Sequence, residues 1–168
     1  MQHLGAVSWP PIGGIASIGW TADGKALTWL GSSKKPVRTF SLMELQFGPA
    51  VKIEQYHGQI RQQGPVAVTD GKVLKDKLVV ARLKGYSGPL ASTFFGTDQI
   101  VSGDGIGELF LYRAMTGQLM RRTKAFPAPI RSRAPSPDGR YVVVSAYDGT
   151  LCIWNPEQER PLLYLTFQ

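Results

Sequence analysis

The chain has 168 residues and a formal net charge of +7, with 19 Lys and Arg against 12 Asp and Glu. No stretch approaches the roughly 20 uninterrupted apolar residues of a membrane-spanning helix, which argues against an integral membrane protein. The single Cys152 has no intramolecular disulfide partner, and residues 1–4 lack the basic start of a secretory signal, so we expect a cytoplasmic protein.

Short apolar segments alternate with clusters of Gly, Pro, Asp and Ser along the chain. Within several segments, apolar residues recur at every second position, which is the period of half-buried strands joined by turns. The 19 Gly and 12 Pro leave little room for long helices, and the sequence has no long amphipathic stripe of helical period. The sequence therefore predicts a nearly all-β fold.

The first predicted unit spans residues 12–41. It opens with a strand and an Asp-Gly turn over Gly14–Lys25, and its third strand is predicted at Val37–Phe40. Asp and Gly favour such a turn because Asp bonds to the backbone that follows it, while Gly accepts the positive φ of a tight hairpin.

The second predicted unit, residues 42–82, is degenerate. Its clearest strand and turn lie at Val66–Lys72, where Thr69 is taken as the equivalent of a third-strand end. Thr69 follows Phe40 by only 29 residues, about a third of a unit too few.

The third predicted unit, residues 83–123, places strands in Leu83–Phe95, Ile100–Gly103 and Gly107–Arg113. The Gly-rich stretch 103–107 resembles a nucleotide-binding loop only superficially. Because no helix follows it, a hairpin connection is the better interpretation.

The fourth predicted unit, residues 124–168, is the clearest. Over Pro129–Asn155 it alternates strands with turns at Pro137–Gly139 and Asp148–Gly149. Its Trp154 follows Tyr112 by 42 residues, and Tyr112 follows Thr69 by 43. A repeat of about 40–45 residues with four strands indicates propeller blades, so we expect one repeat domain over residues 1–168.

The last unit resembles the WD40-repeat family. Ser136–Gly139 matches the family's turn, Trp154–Asn155 is one conservative change from its closing Trp-Asp pair, and Leu83–Leu90 resembles the opening of a blade. The resemblance implies all-β, four-stranded antiparallel blades that form a partial or small propeller. Propellers of this family most often have seven blades, whereas this chain has length for about four.

The resemblance also implies a hydrogen-bonded set that pins each blade. In the last unit, Ser145, Asp148 and Trp154 match this set, while Phe126 replaces the usual His. In the preceding unit Ser102 matches, but tyrosines replace the His and the Trp. These blades are therefore expected to rely more on apolar packing.

Catalytic and metal-binding patterns are absent from the sequence. The two histidines, His3 and His57, stand in unrelated contexts, and Asp23, Asp98 and Asp138 occupy equivalent turn positions. Metal or acid–base catalysis needs several such groups converging on one point. We therefore expect no enzyme activity and no cofactor or metal.

Candidate partner-binding residues follow from the resemblance, which places the first strand of each blade along a central channel and the blade-opening loops on one binding face. The alternation in residues 130–133 puts two arginines on the channel side, where guanidinium groups can bind a carboxylate or phosphate. The full set of candidates is Tyr86, Ser87, Asp104, Phe126, Arg131, Arg133 and Tyr147.

A basic patch is predicted on an outer strand at Arg121, Arg122 and Lys124. Charge on such an edge discourages strand pairing, or alternatively attracts nucleic acid. The leading hypothesis is a non-catalytic scaffold that docks by protein contacts in a larger complex or self-associates through open blade edges. The alternative is an RNA- or DNA-binding subunit, and a propeller enzyme is the third.

Overall fold

The computed structural model describes residues 2–3, 15–31, 36–42, 46–48, 52, 56–86 and 91–166. Within these ranges the chain forms strands and turns but no helix. The described residues therefore contain no helix that is long and apolar enough to span a membrane. The all-β prediction is confirmed for this part of the chain.

The described residues form four sheets, and the strands of each sheet are almost all consecutive in sequence. The exception is β1 (Gln2–His3), which pairs in parallel with the last strand of the chain. Sheet I contains β2 (Ile15–Thr21), β3 (Ala26–Gly31), β4 (Pro36–Ser41), β5 (Gln46–Gly48) and β6 (Tyr56–His57). Sheet II contains β7 (Gln62–Gln63), β8 (Val66–Thr69), β9 (Lys72–Lys75) and β10 (Leu78–Arg82).

The second half of the chain forms the two most regular sheets. Sheet III contains β11 (Ala91–Phe95), β12 (Gln99–Gly103), β13 (Glu108–Arg113) and β14 (Leu119–Lys124). Sheet IV contains β15 (Ile130–Pro135), β16 (Val142–Ala146), β17 (Thr150–Trp154) and β18 (Leu163–Thr166), with β1 at its edge. Strands β11–β14 and β15–β18 each form an antiparallel meander, in which each strand pairs with the next along the chain.

The turn after the first strand is built alike in sheets I and IV. Asp23 accepts a hydrogen bond from the Thr21 hydroxyl at 2.6 Å, and Asp138 accepts one from the Ser136 hydroxyl at 2.5 Å. These hydroxyl donors are the main reason that the pKa values of Asp23 and Asp138 lie below their usual range. The repeated aspartates therefore have a structural role in their turns.

The sheets pack face to face through three apolar clusters. One cluster joins sheets II and III, a second joins sheets III and IV, and a third joins sheets IV and I. The packing order is therefore II, III, IV, I, so that the first sheet along the chain packs against the last.

In sheet IV, side chains at alternate positions of a strand face different neighbouring sheets. Val143 faces sheet I while Val142 and Val144 face sheet III, and all three are fully buried. In the next strand, Ile153 faces sheet I and Cys152 faces sheet III. Burial raises the pKa of the Cys152 thiol, which packs as a small apolar side chain.

The structure corrects two details of the predicted repeat. Thr69 ends β8, which is the second strand of sheet II, whereas Tyr112 and Trp154 lie in the third strands of their sheets. Sheet I also extends beyond residue 41, because β5 and β6 pair with its strands. The spacing from Phe40 to Thr69 is therefore short because it runs from the third strand of sheet I to the second strand of sheet II.

The hydrogen bond of Trp154 also differs from the expected set. Its indole nitrogen donates to the Gln158 carbonyl oxygen at 3.0 Å, not to Ser145, and Asp148 accepts from the Thr150 backbone. In sheet III, the Tyr112 hydroxyl donates to the backbone instead, at the Lys84 carbonyl. Local backbone bonds and apolar packing therefore hold these side chains of sheets III and IV.

Candidate functional site

A cavity of about 570 Å³ lies where sheets II, III and IV meet. It is lined by three arginines, by the exposed rings of one tyrosine and one proline, and by several small polar side chains. The lining residues are Gln59, Arg61, Val68, Thr69, Asp70, Ser92, Gly105, Pro129, Ile130, Arg131, Arg133 and Tyr147. This volume falls in the range of small-ligand pockets, about 300–1,000 Å³.

The segment between β6 and β7 supplies one side of the cavity. It runs along the edge of β11 that pairs with no other strand of the described residues. There the Phe94 backbone N–H donates to the Ile60 carbonyl at 2.8 Å, and the Ile60 backbone N–H donates to the Thr93 hydroxyl at 2.9 Å. The Arg61 carbonyl accepts from the Val68 backbone at 2.9 Å. These backbone bonds fix Arg61 at the junction of sheets II and III, while its side chain stays exposed.

Arg133, on the first strand of sheet IV, is a buried charge. Its side chain is only 4% exposed, and its Nη2 donates to the Ser92 carbonyl at 3.3 Å. Its Nε has no hydrogen-bond partner among the described residues. Burial, and secondarily the charge of Arg61, lowers the pKa of Arg133 to about 9.

Arg131 lies two residues earlier on the same strand and faces the same cavity from its rim. The register of β15 against β16 shifts between Ile130 and Ser132, so Arg131 occupies a bulge. Its guanidinium carbon lies 5.5 Å from the centroid of the Tyr147 ring, which is within cation–π range. Both arginines predicted to share one side of the strand thus line one cavity.

The charge at this cavity is unbalanced. Of the residues that line it, three are arginines and Asp70 is the one carboxylate. Among the described residues, neither Arg61 nor Arg133 forms an ion pair. The arrangement is thus suited to binding an anion.

The structure buries two of the predicted partner-binding residues. Asp104 is 1% exposed, and its carboxylate accepts from the backbone of Ile106 and Glu108 to shape its own turn. Phe126, also 1% exposed, packs edge-on against Tyr164 in the core between sheets III and IV. The apolar space between two sheets, rather than solvent, determines where this ring lies.

The remaining candidates fall near the cavity or outside the described residues. Tyr147 is 67% exposed at the cavity rim. Tyr86 is partly exposed and lies against Gly71, beside the turn that carries Asp70. Ser87 lies outside the described residues.

The predicted basic patch is bonded to other parts of the protein. Arg122 donates twice to Glu108 Oε2, at 3.0 and 2.6 Å, and Arg121 donates to the Glu157 carbonyl at 3.1 Å. Lys124 donates to the Ile106 carbonyl. These contacts tie β14 to its neighbours, although water still reaches the charged groups.

Sequence reasoning missed Gln59, Arg61 and Asp70 as cavity residues. Gln59 and Arg61 belong to no recognisable motif, and the packing of their segment against β11 is a long-range contact without a local signal. Asp70 is a turn residue with a φ of +46°, and its sequence context indicates only the turn.

Comparison with known proteins bears on the fold alone. No protein-family model and no curated protein matches the sequence. The structure is similar to that of the computationally designed Ika8 protein, with a TM-score of 0.54 over 94% of this chain and 16% sequence identity. The chain spans half the length of the Ika8 chain. At this identity the similarity concerns architecture and says nothing about activity.

Proposed function

We propose that the four sheets are WD40-like propeller blades and that the chain is a non-catalytic protein-interaction subunit of a larger assembly. The proposal is supported by the meander order of sheets III and IV, by the stacking of four sheets face to face, and by the packing of the first sheet on the last. The repeated Asp turns after the first strands of sheets I and IV agree with it.

One observation carries the interaction role: an exposed aromatic ring and a guanidinium lie together at the rim of an arginine-lined cavity. Tyr147 is largely exposed, and its ring lies within cation–π distance of Arg131. Tyr and Arg are among the residues that contribute most to binding energy at protein interfaces. The cavity mouth therefore has the composition of an interface centre.

The non-catalytic role is supported by the side chains that line the cavity. They include no His or Cys, and the lone carboxylate Asp70 lacks a second acid or base beside it in this lining. The described residues contain no group of three His, Cys, Asp or Glu side chains able to hold a metal ion. General acid–base or metal-assisted chemistry requires such groups to converge.

Membership of an assembly is supported by the outermost strand of sheet II. Leu78, Val79 and Val80 on β10 are 72%, 47% and 44% exposed, and the described strands leave the outer edge of β10 unpaired. Exposed apolar edge strands promote pairing with other chains. Sedimentation velocity should show concentration-dependent self-association of the purified chain, and Val79→Lys should reduce it; a monodisperse monomer at all concentrations contradicts this part of the proposal.

The interaction role is tested by display of random peptides against the purified chain. We expect a recurrent peptide motif whose binding falls about tenfold in Tyr147→Ala, since truncating an interface anchor costs about 1–2 kcal/mol or more. Thr116→Ala, in an exposed turn of sheet III that does not line the cavity, is the control. Failure to select any peptide, together with RNA binding that weakens steeply with salt, would favour a nucleic-acid-binding subunit instead.

A further inference from the structure

The cavity contains a buried cationic donor that the described residues leave unsatisfied. Arg133 is almost fully buried, with its Nη2 bonded to the Ser92 carbonyl and its Nε unpartnered. Water and protein normally satisfy buried polar groups, and an unsatisfied one in a native protein calls for an explanation. Because Nε itself is closed off from solvent, a ligand would bind the part of the guanidinium that faces the cavity and so compensate the buried charge.

A second guanidinium makes the binding of an anion more favourable. Arg61 lies close enough to Arg133 for its charge to oppose protonation of Arg133. Arg131 lines the same cavity, and Asp70 offsets only one of the three positive charges. An anion between these groups would offset the repulsion between the guanidinium groups.

The cavity is too large for a lone ion, and its lining is mixed. Its volume is about 570 Å³, and Val68, Pro129, Ile130 and Tyr147 contribute apolar surface beside the arginines. An acidic group attached to a larger organic body fits this combination better than a free anion does.

We infer that the cavity binds an oxyanion carried on a peptide side chain, with an anion oxygen accepting from the part of the Arg133 guanidinium that faces the cavity and with Arg61 stabilising its charge. The peptide origin of the anion rests on the proposed function, whereas the anion site itself does not. A carboxylate of Asp or Glu and a phosphate of a phosphorylated residue provide the same acceptor chemistry, and the experiment separates them.

The test follows the Arg133 Nε–Hε signal in ¹H–¹⁵N spectra of the whole chain, assigned by its loss in Arg133→Lys. Glutarate and inorganic phosphate are titrated separately, and neutral glutaramide is the control ligand. We expect a saturable shift of this signal with at least one anion and none with glutaramide. Arg61→Gln should weaken the binding about tenfold, since one charged hydrogen bond or ion contact is lost. Arg82→Gln removes the same charge from an exposed arginine outside the cavity lining and should leave the affinity unchanged.

The source of the anion is separated by three capped peptides: Gly-Glu-Glu-Leu-Gly, its Gln counterpart, and a counterpart with phosphoserine in place of the first Glu. A response to the Glu peptide alone indicates a carboxylate, and a tighter response to the phosphopeptide indicates a phosphate. If glutarate or phosphate moves the signal and no peptide does, the anion site stands and the peptide origin is wrong.

Two results overturn the anion site. One is an Arg133 signal that no anion shifts saturably, and the other is an Arg61→Gln variant that binds anions as well as Arg82→Gln does. Display-selected peptides that bind without moving the Arg133 signal would leave the proposed function intact while removing this inference.

Discussion

Arg133 Nη2 donates to the Ser92 carbonyl oxygen at 3.3 Å, which joins the first strand of sheet IV to the first strand of sheet III. The same carbonyl accepts from Gln59 Nε2 at 2.6 Å. Ser92 therefore keeps a donor even without Arg133. The hydrogen bond from Arg133 therefore adds little to the stability of the fold. Burying the guanidinium also costs free energy, because a charge loses its contact with water.

Replacing Arg133 with Met should not destabilise the protein. Exchanging a poorly paired buried charge for an apolar side chain of similar length is neutral or stabilising, here by about 1–2 kcal/mol in the free energy of unfolding. Val144→Ala in the adjacent core should instead lose roughly 2 kcal/mol. Chemical denaturation of both variants measures the difference, and equal losses would mean that Arg133 holds the sheets together.

Replacing Gly107 with Ala should disrupt the junction between sheets III and IV. At this residue, with a φ of +84°, a Cβ atom would overlap the Phe126 carbonyl oxygen and lie 2.5 Å from that of Ala128. Because both contacts are to backbone, we expect a loss of about 3 kcal/mol or more from overpacking and strain.

Gly139 provides the matched control for Gly107. Its φ is +68° and a Cβ atom there would meet nothing within 4 Å, so Gly139→Ala should lose only about 1 kcal/mol from backbone strain. Similar losses at the two positions in urea denaturation would show that the close approach at Gly107 is unimportant.

Phe126 and Tyr147 should behave oppositely on truncation. Phe126→Ala removes a buried ring between sheets III and IV and should lower the free energy of unfolding by about 3–5 kcal/mol. Tyr147→Ala removes an exposed ring and should change stability by less than about 0.5 kcal/mol. Thermal or chemical denaturation separates the two, and a loss in Phe126→Ala as small as that expected for Tyr147→Ala would contradict the burial of Phe126.

Stability should fall at alkaline pH in part because of Tyr164. Burial raises the pKa of Tyr164 from 10.0 to about 12, and its hydroxyl donates to the Ala125 carbonyl at 3.0 Å. Because the folded-state value is the higher one, this contribution is complete below pH 10 and is lost as the pH rises through 12.

The Tyr164→Phe variant should therefore show a shallower decline of unfolding free energy between pH 10 and 12. The slope should differ by up to about 1.4 kcal/mol per pH unit, which corresponds to one proton. Urea denaturation at a series of pH values gives both slopes. Parallel curves for the two proteins would rule out this role of the phenol.

The sequence predicts the local structure well where turn chemistry and period-two patterns act over a few residues. The Asp23 and Asp138 turns, and the two buried faces of residues 142–144, follow from such short-range signals. The burial of Phe126 has no such local signal, because it depends on how two sheets meet.

The cavity could be predicted only in part. The alternation of Arg131 and Arg133 along one strand indicates a shared side, and both line the cavity. Arg61 reaches the same cavity through hydrogen bonds between Ile60 and sheet III, more than thirty residues away in sequence. The unpartnered Nε of Arg133 likewise depends on three-dimensional packing, which the sequence pattern does not encode.

The most direct test of the account is the affinity of one display-selected peptide for the wild-type chain, Arg133→Met and Arg82→Gln. We predict that Arg133→Met weakens binding about tenfold or more while remaining at least as stable as the wild type, and that Arg82→Gln changes neither property. Wild-type affinity in Arg133→Met would contradict the claim that this cavity is the site where a partner is held.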